Sequence, residues 1–419
     1  MKIENLCKII DQRQDELFGT LCDLIGVNSE NFSSHGNESN MAQFVNELCL
    51  KLGLESDVYS PLDIEGFDKH PDYMPGHNLE NRYNVTATWR GENDTNELML
   101  MGHLDTVEVG DLANWDFDPF KAFVKDGKIW GRGACDDKYA IATVLFLVKL
   151  LKEQGFKPKA NLVFAGYCDE EHGGSHGALA SVLKYPSKRI VNMDGRQGEI
   201  WHCASGGQET TFKYHSTKTV DSAKSVAEAL PVVLDGISEF AENRRAELAA
   251  NRFYKDTIIP DTSLRYMGIQ CGNNGNDLGV GTLKMTYYTD KEKERVYGEL
   301  EEISDKINNR LAPLGFEADG FTPNTRFFHY VFCEPDCEDI TLMCEASLEA
   351  IGKEPVVCGS CLSDLSVIAK YGNSSAYAFG AGRDFSKEGG AHQPNEFIEC
   401  DKLVEFAKVI GAFIIKVLG

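Results

Sequence analysis

Three apolar runs in the first half of the chain end on ionisable side chains, and nothing else in the sequence constrains the fold as much. They are "LMLMGHLD" from Leu98, "ANLVFAGYCDEE" from Ala160 and "RIVNMDG" from Arg189. Short apolar runs without polar alternation read as strands buried on both faces. "NVTATW" from Asn84 reads the same way, and "DKYAIATVLFLVKLLKEQGF" from Asp137 reads as a buried helix that stops near Gly155. Lys2–Ile25 and Met41–Leu52 carry the 3.6-residue period of amphipathic helices, the second closed by Gly53. Strands alternating with helices predict an α/β fold, a mostly parallel mixed sheet flanked by helices. In such sheets ligands bind at the carboxyl ends of the strands. That is where these runs place their ionisable groups.

The pattern changes after residue 208. "GGQETTFKYHSTKTVDSAKS" leads into a long helix predicted from Val220 to Ala249. A loop-rich stretch follows, then the strand "TLKMTYYT" and a charged helix Lys291–Leu311. This reads as a compact α+β domain inserted into the first. Helices at Asp339–Ile351, Ser363–Lys370 and Asp401–Leu418 then restore the α/β character. The expected domains are 1–208 and 323–419, forming one catalytic domain, and 209–322, the insert.

The net charge of -23 argues against a nucleic-acid or anionic-membrane partner, because no basic field exists to attract phosphates. No apolar run is long enough to span a bilayer. The first residues, "MKIENLCKIIDQRQDELF", form an amphipathic helix rather than a signal peptide. Thirteen cysteines without a framework spacing read as reduced thiols of a cytoplasmic protein. "CGSC" (Cys358 to Cys361) leaves a redox role as a third, lesser reading.

Five loops or strand ends carry the chemistry: His103 and Asp105, Asp136 in "GRGACDDK", Glu170 and Glu171, Asp194, and His392 in "GGAHQPNEF". One imidazole and one carboxylate at a strand end are either satisfied polar groups or part of a metal site. Several carboxylates converging on two imidazoles favour divalent cations, since a desolvated, unneutralised carboxylate costs several kcal/mol. Adjacent Glu170 and Glu171 point to opposite sides of an extended strand end. One can then ligate a cation while the other faces substrate.

The ordered segments "GHLDTV", "NWDFDPF", "GRGACDDK", "DEEHGG" and "AHQPNE" resemble the co-catalytic zinc peptidase family. That family includes acetylornithine deacetylase, succinyl-diaminopimelate desuccinylase, aminoacylase and several carboxypeptidases and dipeptidases. The resemblance runs over about residues 80–207 and 340–419. It implies two divalent cations, zinc first and cobalt or manganese as alternatives. His103 and Asp194 would hold one cation, Glu171 and His392 the other, and Asp136 would bridge them. Glu170 would be the general base, and Asp105 would orient the His103 ring. The Asp136–Asp137 peptide would be cis, and the insert would serve as lid and dimerisation domain of a homodimer. The implied activity is hydrolysis of an amide bond in a small N-acyl amino acid or dipeptide-like substrate. The alternative is a non-catalytic, metal-containing relative that binds a small ligand.

The insert departs from that family. The usual lid histidine motif is not reproduced, although His215 lies near its place. The usual lid arginine is replaced by Tyr287 or Tyr288. Tyr139 stands where the family has glycine. Asn276, Arg383 and His215 are the remaining candidates for substrate contacts.

Overall fold

The computed structural model describes residues 1–419 except 33, 75, 218–224, 256, 258, 274–278 and 360. In chain order the elements used below are helices α1 (Ile3–Ile25) and α2 (Glu38–Lys51), then strands β1 (Glu55–Tyr59), β2 (Asn84–Trp89) and β3 (Asn96–His103). Next come α3 (Lys138–Glu153), β4 (Asn161–Tyr167), α4 (His176–Lys184), β5 (Arg189–Gln197) and β6 (Glu199–Ala204). They are followed by β7 (Gly206–Ser216), α5 (Leu230–Ala250), β8 (Leu264–Asn273), β9 (Gly279–Thr289), α6 (Lys293–Leu311) and β10 (Phe316–Pro323). The last are α7 (Glu338–Ile351), β11 (Tyr377–Gly380) and α8 (Cys400–Leu418).

Two compact units result. The first comprises Met1–His202, Phe332–Cys358 and Val367–Gly419, and the second Cys203–Val331 with Gly359–Ser366. In the first, a mixed sheet runs in the order β6-β11-β5-β3-β4-β2-β1. β11, β5, β3 and β4 are mutually parallel, β2 pairs antiparallel with β4, and β1 pairs antiparallel with β2. Leu98, Leu100, Leu162, Phe164, Val85 and Ala87 pack into one apolar cluster with α1, α2, α3 and α8. Their alternates Met99, Met101, Val163 and Ala165 are fully buried too, which is why the sequence shows continuous apolar runs.

β3 and β4 are paired through His103 and Tyr167, and β3 and β5 through Met101 and Asn192. Glu170 and Glu171 therefore follow β4 at the same sheet edge as His103. Asp194 stands two residues beyond Asn192 on β5, as His103 stands two beyond Met101. A hairpin turns at Asp126 and Gly127, both left-handed with φ of 52° and 71°, the signature of a type I′ turn. Its second strand, Lys128–Trp130, pairs with Phe397–Glu399 and brings the His392 loop beside the loop of Asp136.

The second unit is an antiparallel sheet, β8-β9-β7-β10. Phe212, Tyr214, Leu283, Met285 and Tyr287 alternate onto its inner face and meet Val233, Ile237, Val296 and Ile303 of α5 and α6. α5 starts at Leu230, not at Val220, with Pro231 in its first turn; a proline lacks the N–H an interior position would need. The stretch read as loop contains strand β8. Tyr287 is fully buried and donates its hydroxyl to Gln208 Oε1, so it lies in the core rather than at the position of a substrate-binding side chain. Gly359–Ser366, expected in the first domain, belongs with this unit. Ser205 N–H donates to Cys361 O, and Arg326 Nη1 donates to Ser366 Oγ.

Candidate metal centre

His103 closes β3 with a fully buried ring. Its Nδ1 is 2.9 Å from the carbonyl oxygen of Asp105 and 3.7 Å from that residue's Oδ1. A carbonyl only accepts, so Nδ1 carries a proton and Nε2 is the ring atom left for a second partner. Nε2 sits 3.0 Å from Asp136 Oδ1. The other oxygen of Asp136 is 3.2 Å from His392 Nε2, which is also 2.7 Å from Glu171 Oε2. Each Asp136 oxygen thus faces its own imidazole. The ligand atoms of His103, Asp136 and Glu171 all lie within 4.8 Å of one another.

The backbone around these groups is fixed by buried acids. The N–H groups of Glu170 and Glu171, with Asn31 Nδ2, donate to Asp105 Oδ2. The peptide between Asp136 and Asp137 is cis, and Asp137 Oδ2 accepts the His103 N–H at 3.2 Å. A Cβ on Gly102 would stand 2.9 Å from that oxygen, so the approach requires glycine. Glu396 accepts from Arg132 Nη1 and from the N–H groups of Gly133 and Cys135. It ties the His392 loop to the Asp136 loop. The Tyr139 hydroxyl donates to Met193 O at 2.6 Å and lies 3.3 Å from Gly195 O, holding β5 on both sides of Asp194. Sequence reasoning quoted Glu396 and Tyr139 but gave neither a role. Nothing in the residue pattern singled out Asn31, and Asp137 entered only through the implied cis peptide.

The electrostatics call for cations. Burial pushes the His103 and His392 imidazoles down, but the surrounding carboxylates outweigh it. His103 is held well above its ordinary value by Asp105 and Asp136, and His392 is raised to about 11 by Glu171 and Asp136. Burial raises Asp136, yet both imidazoles together hold it below the usual carboxylate range. Asp137 is pushed well up by burial and by the charges of Asp194 and Asp136. Asp105 Oδ1 and Asp137 Oδ1 are buried without a hydrogen-bond partner. Two imidazole nitrogens aimed at carboxylate oxygens are compatible only with protons or metal ions between them. This donor set of imidazole nitrogen and carboxylate oxygen fits zinc, cobalt or manganese.

A pH dependence follows. The carboxylates around both imidazoles favour their charged forms in the metal-free protein, so loading should release protons, up to about two per chain. The release should fall as pH rises towards the His392 value. Calorimetry of metal binding in buffers of different ionisation enthalpy reads this directly. The raised values also stabilise the metal-free fold. That contribution is complete below the unfolded value near 6.5 and is lost as pH rises through about 11.

Two of the candidate substrate residues have partners of their own. Arg383 pairs with Glu399, lies 4.0 Å over the Phe397 ring and donates to Glu388 O. His215 lies on β7 of the second unit, 3.0 Å from Asp319 Oδ1. Asn276 falls outside the described residues. None of the thirteen cysteines is in a disulfide; Cys361 is exposed and Cys358 half-buried.

The sequence model of peptidase family M20/M25/M40 matches residues 99–416. An uncharacterised metallohydrolase of Methanococcus maripaludis is 34% identical over 189 residues, 43% of this chain and 42% of that protein. Succinyl-diaminopimelate desuccinylase of Wigglesworthia glossinidia brevipalpis is 34% identical over 116 residues, 28% of each. The chain thus spans less than half the length of these curated relatives. The di-peptidase Dug1p from Saccharomyces cerevisiae superposes with a TM-score of 0.73 at 16% identity, covering 99% of this chain and 98% of that one. At that identity the likeness concerns the fold.

Proposed function

Since the chain belongs to peptidase family M20/M25/M40, we propose that it is a metal-dependent hydrolase that cleaves an amide bond in a small N-acyl amino acid or dipeptide-like substrate. The observation that carries this reading is the division of Asp136 between His103 and His392, beside the Glu170–Glu171 turn. His103, Asp136 and Asp194 would hold one divalent cation, and Asp136, Glu171 and His392 the other. When bound, such ions acidify water and polarise a carbonyl. Zinc is the first choice of metal.

Glu170 supplies the proton transfers. Its carboxylate takes a proton from the attacking water and delivers it to the leaving nitrogen, so no covalent intermediate is needed. Asp105 keeps the Glu170 and Glu171 N–H groups on one oxygen and thereby sets the base against the ligand. A panel of N-acyl amino acids and dipeptides, assayed with zinc or cobalt and again after chelation, tests the activity. Metal-dependent release of free amine is expected. No turnover on any amide with metal fully loaded would favour the ligand-binding alternative.

We also propose a homodimer formed through β8. From Arg265 to Gln270 every residue of this edge strand is exposed, and Tyr266, Met267 and Ile269 are 41%, 59% and 47% accessible. A strand with an unpaired edge and apolar side chains invites pairing. Light scattering should give twice the chain mass of 46.5 kDa, and Ile269→Lys should reduce it to the single-chain value. Wild-type protein at the single-chain mass would refute this. No helix among the described residues is long and apolar enough to cross a membrane. Thirteen cysteines outside any disulfide support a cytoplasmic location.

A further inference from the structure

A second group in the first unit has the spacing of a metal site. The ligand atoms of His77, Asp169 and His176 lie within 4.8 Å of one another, and all three residues are buried or nearly so. Its chemistry is nevertheless that of a buried ion-paired group, hydrogen-bonded between His176 and Asp169 Oδ2 and held by charge at Asp169 Oδ1. Asp169 Oδ1, 3.1 Å from His77 Nδ1, is also 3.2 Å from Arg82 Nη1, which is itself 2.6 Å from Glu38 Oε1. A guanidinium on the same oxygen opposes a divalent cation. His176 Nε2 accepts the Met74 N–H at 3.1 Å. The proton of this ring is therefore on Nδ1, 2.6 Å from Asp169 Oδ2, where a metal would have to sit.

The group acts on the residue that follows Asp169. Asp169 is left-handed, with φ of 64°, a conformation that aspartate tolerates better than most residues. Its side chain is turned back under the loop, so close that a Cβ on Gly174 would lie 2.1 Å from Oδ2. Its carbonyl accepts the Ser175 N–H at 2.8 Å, while the next two N–H groups bind Asp105 Oδ2. The Glu170 backbone is thus gripped from two sides. The segment between β1 and β2 completes the rear grip. Tyr73 meets the His176 ring edge-on at 5.2 Å, His77 stacks on it at 5.5 Å, and the Tyr371 hydroxyl donates to Asp72 Oδ2.

We propose that Asp169, clamped by Arg82, His77 and His176, is a positioning residue that aims Glu170 at the reacting atoms. The proposal rests on the reading of Glu170 as general base, and the test separates the two. Asp169→Asn and Glu170→Gln are made singly and together, loaded with zinc, and compared for kcat, KM and bound metal. Asp169→Asn should lower kcat about 10²-fold, the scale of a misplacement near 1 Å, with KM and metal content unchanged. In the Glu170→Gln background the same change should alter kcat by no more than about 2-fold, because its route of action is gone.

A full further 10²-fold loss in that background would mean a general structural role and would overturn the proposal. So would wild-type kcat in Asp169→Asn. Loss of a metal equivalent on Asp169→Asn would overturn it as well, pointing to a third ion or to Glu171 as the group affected. If Glu170→Gln itself turns over at the wild-type rate, the base assignment fails, whatever Asp169→Asn does. Should Asp169→Asn not fold, His77→Ala gives the same reading from the rim of the group. Its fall in kcat should vanish in the Glu170→Gln background, and persistence there would refute the proposal.

Discussion

Glu170→Gln should leave two metal ions bound and the fold unchanged, while kcat falls by about 10²–10⁴-fold, the range of general acid–base contributions. The substitution keeps size and hydrogen bonding but removes the site that takes the proton. The backbone N–H of Glu170 still reaches Asp105 Oδ2, so the turn and the Glu171 ligand stay in place. KM should change little, because the interaction lost belongs to the transition state. Metal analysis with steady-state kinetics checks this, and wild-type turnover in a fully loaded Glu170→Gln protein would remove Glu170 from the proton path.

Asp136→Asn should have the larger effect on metal content. Among the described residues, Asp136 is the one carboxylate facing both imidazoles, Oδ1 towards His103 and Oδ2 towards His392. An amide supplies no negative charge and places a donor nitrogen where one oxygen stood. Both ions should then bind weakly, the stoichiometry should fall below one per chain, and activity should vanish at metal concentrations that saturate the wild type. The proton release on loading should shrink too, since Asp136 helps hold both imidazoles charged in the metal-free protein. Equal metal content in the variant and the wild type would show that the two ligand pairs are independent.

The parts of this arrangement visible in the sequence are those that local rules govern. Buried strands write themselves as apolar runs, and their ends carry His103, Glu170, Glu171 and Asp194 to one edge of the parallel strands. The structure adds which oxygen faces which nitrogen, a matter of side-chain geometry that spacing does not encode. β8 escaped notice because an edge strand exposed on both faces has no reason to alternate. The start of α5 was misplaced because a polar, helix-compatible stretch precedes Pro231. The grip on Asp169 joins Glu38 of α2, His77 and Arg82 of the segment between β1 and β2, and His176 of α4, and such a group has no period to detect. Asp169 itself sits inside the quoted "CDEE", where its neighbours' chemistry drew the eye. Glu396 shows the same limit: its partners lie more than 260 residues away in the chain.

The most direct test is a crystal structure of the zinc-loaded protein with anomalous scattering at the zinc edge. Two ions should appear, one on each oxygen of Asp136, the first with His103 and the second with His392 and Glu171. No ion should appear between His77, Asp169 and His176. A single ion, or a pair that Asp136 does not share, would contradict the account.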